Sequence, residues 1–245
     1  MSSVYDCVIR GGRIADGTGA PLRDADVAVT AGQIVAVGAV EGRGAEEIDA
    51  SGLLVTPGFI DIHTHYDGQA TWDTHMPPTS WHGVTTAVMG NCGVGFAPCR
   101  PADRERLMRL MEGVEDIPFP VLAEGLPWTW ETYAEYLDSL TGRRFDMDLG
   151  SLLPHAPVRV WVMGERGANR EPATAEDIRA MARIARQAVK AGALGFSTSK
   201  TLNHRTKAGE HTPTLAASED ELTGIAMGLK AAGGGLMEYI GDYMD

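Results

Sequence analysis

The sequence has few cysteines, little positive charge and no long apolar run. Its three cysteines are too few and odd in number for a disulfide framework, so free thiols are predicted. The formal net charge of -12 argues against nucleic acid or an anionic membrane surface as a partner. No stretch of about 18 apolar residues predicts a membrane span, and the N-terminus lacks the basic and apolar regions of a signal peptide. A cytoplasmic protein is therefore expected.

What the sequence does contain is a change of pattern near residue 56. Residues 1–55 carry short alternating segments broken by turns, at 4–9, 25–30 and 33–37, which predict an all-β segment. Such a sheet is marginal alone. We therefore interpret 1–55 as the N-terminal part of a β-sandwich domain.

From residue 56 onward, apolar segments alternate with helical ones. Strands are predicted at 59–62, 84–89, 149–153, 193–196 and 236–240, with 158–162 as a further strand candidate, and helices at 174–191 and 218–232. Alternation of this kind indicates βαβ units around a parallel sheet. An insertion at 95–148, rich in proline and tryptophan, interrupts the rhythm and is predicted to hold helices near 102–112 and 130–140.

Two histidines follow the first of these strands, in Asp61-Ile62-His63-Thr64-His65. Residues i and i+2 of a strand point to one side, so both imidazoles can reach one metal ion, and neutral imidazole suits zinc. Taken alone, the pattern also fits two surface histidines at a strand end.

Cys92 follows the second strand, in Gly90-Asn91-Cys92-Gly93. A lone cysteine is commonly a buried structural thiol. Here the flanking glycines allow close backbone approach, and active sites of α/β barrels lie at the C-terminal strand ends, where His63 and His65 also fall. The coincidence favours one shared site.

The strings GFIDIHTHYDGQ and SWHGVTTAVMGNCGVGFAP resemble the N-acyl-D-amino-acid deacylase (D-aminoacylase) group of the amidohydrolase superfamily. The likeness runs along the whole chain and is strongest at 56–98. It implies an α/β fold, an incomplete TIM-like barrel preceded by a small β-sandwich segment, with about five βα units in 56–245. It also implies His63, His65 and Cys92 as ligands of one tight zinc ion, a second weaker metal site, and hydrolysis of a small N-acyl-D-amino acid to a carboxylate and a D-amino acid.

The chain departs from that group in its later strands. The fifth strand contains no histidine, and Glu238 or Asp242 are the residues there that could reach a metal. The resemblance places the general-base aspartate beyond residue 245, so we expect an incomplete and inactive fragment when this polypeptide stands alone.

Other residues near the ends of the predicted strands are candidates for substrate contact. His155 and His204 are predicted to bind substrate, while Lys200 is interpreted as a loop cation. Two alternatives stay open at this point: a hydantoinase-like cyclic amidohydrolase, which a carboxylated Lys200 at the metal would favour, and a non-catalytic truncated product that needs a partner chain. The oligomeric state is left open.

Overall fold

Ten strands and eight α-helices are formed by Val4–Asp242, the residues that the computed structural model describes. They fall into two units that divide between Gly58 and Phe59. No helix in this part of the chain is long and apolar enough to cross a membrane.

The first unit is a single five-stranded sheet. Its strands are β1 (Tyr5–Ile14), β2 (Arg23–Thr30), β3 (Gln33–Gly38), β4 (Gly44–Asp49) and β5 (Leu54–Val55). β1 pairs antiparallel with β2 and parallel with β4 and β5, and β3 extends the sheet antiparallel to β2. The β2–β3 hairpin turns at Ala31 and Gly32, both at positive φ, which suits the right-handed twist of the strands. The all-β prediction for this segment is confirmed.

The second unit is built on a curled, wholly parallel sheet. Its strands are β6 (Phe59–Asp61), β7 (Val84–Met89), β8 (Asp148–Pro154), β9 (Gly195–Lys200) and β10 (Leu236–Gly241). Within the described residues the strand order is β10-β9-β8-β7-β6, so every strand lies beside its neighbour in sequence. The predicted fold class, an incomplete TIM-like barrel preceded by a small β segment, is confirmed.

Helices connect the strands of this sheet. They are α1 (Gln69–Trp72), α2 (Arg104–Glu115), α3 (Phe119–Gly125), α4 (Tyr133–Leu140), α5 (His155–Met163), α6 (Glu165–Ala168), α7 (Ala175–Ala191) and α8 (Glu219–Ala231). α7 begins with a capping box in which Thr174 and Asp177 satisfy each other's backbone N–H groups. The strand proposed at 158–162 is wrong, because these residues lie within α5. A short apolar run looks the same whether a strand or a fully buried helix contains it, and Ala156, Val158 and Val160 are all buried.

The insertion at 95–148 packs into the same core as the sheet. Buried apolar side chains of α2, α3 and α4 join strand residues in one cluster, and Trp130 donates its indole N–H to the Phe96 carbonyl at 2.8 Å. Of its helices, α3 was not predicted; it carries Pro120 in its first turn, where the missing N–H costs nothing. The insertion is therefore part of the barrel unit and can place residues beside the strand ends.

Candidate metal centre

His63 and His65 lie just beyond the C-terminal end of β6 and share one side of the chain. Thr64, between them, is buried, and both its N–H and its hydroxyl donate to the Val88 carbonyl of β7, at 2.9 and 2.8 Å. This double anchor continues the alternation past the strand, because it turns Thr64 towards β7 and the two histidines away. Their ring centroids are 5.4 Å apart.

The loop after β7 presents Cys92 to the same point. Asn91 donates to the carbonyls of Thr64 and Val88, at 3.1 and 2.8 Å, and so ties the two strand ends together. Gly90 has a φ of 81°, and a Cβ there would stand 2.1 Å from the Leu152 carbonyl oxygen. Only glycine fits such an approach. Cys92 itself has a φ of 56°, in the left-handed region.

These elements bring three donor atoms together. One ligand atom each of His63, His65 and Cys92 lies within 4.8 Å of the other two, and His63 Nε2 is 3.2 Å from Cys92 Sγ. Two imidazoles and a thiol form a nitrogen–sulfur set of the kind that zinc prefers. The residues that sequence reasoning singled out as ligands thus occupy one place.

The two kinds of donor in this cluster differ in their protonation. Burial, followed by repulsion from His63 and His204, lowers the pKa of His65 to about 4, so its imidazole is neutral with a free lone pair near neutral pH. Burial, and then Glu115 and Glu238, raise the pKa of the Cys92 thiol far above its ordinary value. A bound divalent cation reverses that preference, since it stabilises the thiolate. The donor set therefore fits a metal and would release a proton on binding it.

Two carboxylates flank the donors. Glu238 of β10 accepts the Cys92 N–H on Oε2 at 3.1 Å, while its Oε1 lies 3.9 Å from His63 Nδ1. Glu115, at the end of α2, places Oε1 3.2 Å from His65 Nε2. Burial raises the pKa of each carboxyl to about 7. Sequence reasoning noted Glu238 but missed Glu115, because no spacing signal links a helix inside the insertion to the end of β6.

His155 is enclosed by protein groups. It is the first residue of α5 and is completely buried, with Nδ1 2.8 Å from the Thr198 hydroxyl and Nε2 2.9 Å from Glu221 Oε1. Both ring nitrogens are therefore engaged by protein groups. Its role as a substrate contact stays a prediction.

Lys200 is the last residue of β9, and His204 lies in the loop that follows it. His204 is half-buried, its Nδ1 is 2.8 Å from the Ser199 hydroxyl, and it is near enough to His63 and His65 to lower the pKa of His65. Lys200 donates from Nζ to the Ala217 carbonyl at 2.7 Å. Asp242 accepts from the Leu202 N–H at 2.9 Å and contacts the Thr201 hydroxyl. His204 thus borders the donor cluster, whereas Lys200 and Asp242 are committed to the loop after β9.

Known sequences similar to this chain include a D-aminoacylase and acyl-D-amino-acid deacylases. The D-aminoacylase of Alcaligenes xylosoxydans xylosoxydans is 33% identical over 234 residues, covering 95% of this chain and 44% of that protein. The N-acyl-D-glutamate deacylase of the same organism is 32% identical over 238 residues, covering 95% of this chain and 43% of that protein. The chain thus spans less than half the length of these curated relatives.

Solved structures agree with the sequences. A D-aminoacylase crystal structure matches with a TM-score of 0.74 at 32% identity, covering 94% of this chain and 44% of that one. The N-acyl-D-glutamate deacylase of Bordetella bronchiseptica, complexed with zinc and a phosphonate inhibitor, matches with a TM-score of 0.73 at 30% identity, covering 96% and 44%. An L-hydantoinase, at 16% identity and a TM-score of 0.50, shares the fold alone. The Amidohydrolase family model matches residues 46–243, and the chain belongs to that family.

Proposed function

We propose that this chain supplies the zinc-binding part of a hydrolase that cleaves linear amides of the N-acyl-D-amino-acid type. The observation that carries the proposal is the meeting of His63, His65 and Cys92 donor atoms within 4.8 Å at adjacent strand ends. Relatives that match across nearly the whole chain include a D-aminoacylase and acyl-D-amino-acid deacylases, which supports the linear amide as substrate.

The residues around the proposed cation site have different roles. His63, His65 and Cys92 would hold zinc, which supplies an activated water and polarises a carbonyl when bound. Glu238 fixes the Cys92 loop through Oε2, and its Oε1 is buried without a hydrogen-bond partner among the described residues. With its pKa raised to about 7, this carboxyl can hold a proton at the centre near neutral pH.

The cyclic-amide alternative gains no support from Lys200. Its amine is bound to the Ala217 carbonyl on the loop after β9. The similarity to a hydantoinase extends to the fold alone.

Zinc binding and enantiomer preference test the proposal. The purified chain should bind zinc at one tight site, and His63→Ala and His65→Ala should each weaken that binding, while His82→Ala, a histidine at the opposite end of β7, should not. The zinc-loaded chain should bind N-acetyl-D-amino acids in preference to their L-enantiomers and to hydantoins, and hydrolysis by this chain alone is not expected. A chain without bound zinc contradicts the metal centre; equal binding of the two enantiomers contradicts the proposed substrate class and leaves the metal centre intact.

A further inference from the structure

Cys92 lies in a tight turn, at 90–93, whose backbone conformation is unusual. Gly90, Cys92 and Gly93 have φ angles of 81°, 56° and 68°, in the left-handed region that residues other than glycine seldom adopt. A backbone in such a conformation persists only when its surroundings hold it there. The contacts of this turn therefore decide where the Cys92 thiol points.

One hydroxyl group bonds to both ends of the turn. Ser197 of β9 donates its hydroxyl hydrogen to the Gly90 carbonyl and accepts the Gly93 N–H on the same oxygen, at 3.0 Å. Ser197 is completely buried, and a Cβ on Gly93 would stand 2.9 Å from the Thr198 Cα, so the turn lies directly against β9. The two ends of the turn are thus fixed to each other through Ser197, with Cys92 between them.

The neighbouring strand holds the middle of the turn. Glu238 of β10 is paired with Ser197 in the parallel register and accepts the Cys92 N–H at 3.1 Å. Paired residues of adjacent strands place their side chains on one face of the sheet, so Ser197 and Glu238 meet the turn from the same face. With its backbone held in this way, Cys92 brings Sγ to 3.2 Å from His63 Nε2.

We propose that Ser197 is a positioning residue of the metal centre, because its hydroxyl joins Gly90 to Gly93 and so keeps Cys92 in the conformation that turns its thiol towards the histidines. Without that hydroxyl, a buried carbonyl and a buried N–H lose a partner, and a rearranged backbone relieves the loss. A released turn also lets Cys92 leave the left-handed region, which moves Sγ away from the other donors. The inference rests on the proposed function, because it takes Cys92 as a ligand.

The first test compares zinc affinity between variants. Ser197→Ala deletes the hydroxyl and should weaken zinc binding by about 10- to 100-fold, measured by competition with a chromophoric chelator. In the cobalt-loaded chain, the same substitution should reduce the thiolate-to-cobalt charge-transfer absorption. Ser151→Ala is the matched control, because Ser151 is also a buried serine of a barrel strand, and its hydroxyl contacts the Tyr133 hydroxyl at 2.8 Å instead of the turn. Zinc affinity and cobalt absorption in Ser151→Ala should equal those of the unchanged chain.

The second test observes the turn without metal. In the zinc-free chain, Ser197→Ala should raise the rate at which a maleimide alkylates Cys92 by about 5- to 10-fold, as expected for the loss of a hydrogen bond of ordinary strength. Cys99, a second buried thiol of the same unit, is the internal control and should keep its rate. Peptide mapping by mass spectrometry measures both rates in one sample.

The two tests separate this role from the proposed function. An unaltered zinc affinity in a folded Ser197→Ala would overturn the positioning role, and so would an unaltered Cys92 rate or a parallel rise at Cys92 and Cys99, which indicates general loosening. Failure of the unchanged chain to bind zinc would instead reject the proposed function and with it this role.

Discussion

Two histidine clusters of the barrel unit differ in how their ring nitrogens are satisfied. His155 has a protein partner on each nitrogen, Thr198 and Glu221, and is completely buried. His65 has a buried Nδ1 without a hydrogen-bond partner in the described residues, and its neighbour His63 is partly exposed. Both clusters lie after apolar strands, so position alone does not separate them. A histidine whose nitrogens are already paired is built for stability, whereas one with a free buried nitrogen is available to a ligand.

The cluster around His155 also contains a buried ion pair. Arg159 Nε lies 2.9 Å from Glu221 Oε1, and both side chains are almost fully buried. Arg159 further donates to the Glu171 carbonyl at 2.8 Å and to the Pro213 carbonyl. This network joins α5, α8 and two loops, and it offers no coordination position to a cation because a guanidinium occupies its centre.

The largest expected effect comes from breaking that ion pair. Glu221→Gln leaves the Arg159 guanidinium buried without its counter-charge and should reduce the free energy of unfolding by about 3–5 kcal/mol. Urea denaturation of the metal-free chain measures the loss, and Glu219→Gln, an exposed position of the same helix turn, is the control. Zinc affinity should not change. A loss below about 1 kcal/mol would show that the cluster is not the structural one.

At the metal centre, by contrast, a substitution is expected to change the zinc affinity. Cys92→Ala removes the proposed thiolate ligand and should weaken zinc binding by more than about 100-fold. Loss of a residue that only hydrogen-bonds to a metal ligand already weakens binding by about 10- to 100-fold, and loss of the ligand itself costs more. Cys99→Ala deletes another buried thiol, whose sulfur contacts only the Arg100 carbonyl, at 3.3 Å, among the hydrogen bonds described. Equal zinc affinity in the two variants would remove Cys92 from the ligand set.

The pH dependence of the free energy of unfolding tests whether His155 is held in its neutral form. Burial lowers the pKa of His155 below its ordinary value of 6.5, more than the hydrogen bond to Glu221 raises it. The unfolded chain then takes up the proton first, so His155 destabilises the fold as pH falls below about 6.5, by at most about 1.4 kcal/mol per pH unit. The stability difference between the unchanged chain and His155→Gln should shrink from pH 7.5 to 5.5. A constant difference would mean that His155 titrates alike in both states.

The smallest expected effect belongs to His204. Its predicted role is substrate contact, and the one side-chain hydrogen bond described for it joins Nδ1 to the Ser199 hydroxyl. His204→Ala should weaken binding of an N-acetyl-D-amino acid to the zinc-loaded chain by about 1 kcal/mol, measured by calorimetry, with zinc affinity unchanged. His75→Ala, on an exposed segment, serves as control. A change in zinc affinity in His204→Ala would move His204 into the ligand set.

Local patterns predicted most of the barrel unit. β7 at 84–89 and the cap of α7 at Thr174 follow from β-branched alternation and capping chemistry, which depend on neighbouring residues only. α5 was mistaken in part for a strand because its residues are buried nearly all round, which removes the periodicity that distinguishes helix from strand. The sequence did not predict α3, because its seven residues are too few to show a clear helical periodicity of apolar side chains.

The sequence by itself predicted His63, His65 and Cys92 as one candidate ligand set, since a strand places i and i+2 on one side and parallel strands end at one edge. The tertiary structure alone decided what surrounds them. Glu115 and Glu238 arrive from segments that are 50 and 146 residues away from their partners His65 and Cys92, and only chain folding sets such distances. The same holds for His155, because its two partners come from other elements and are invisible to any local pattern.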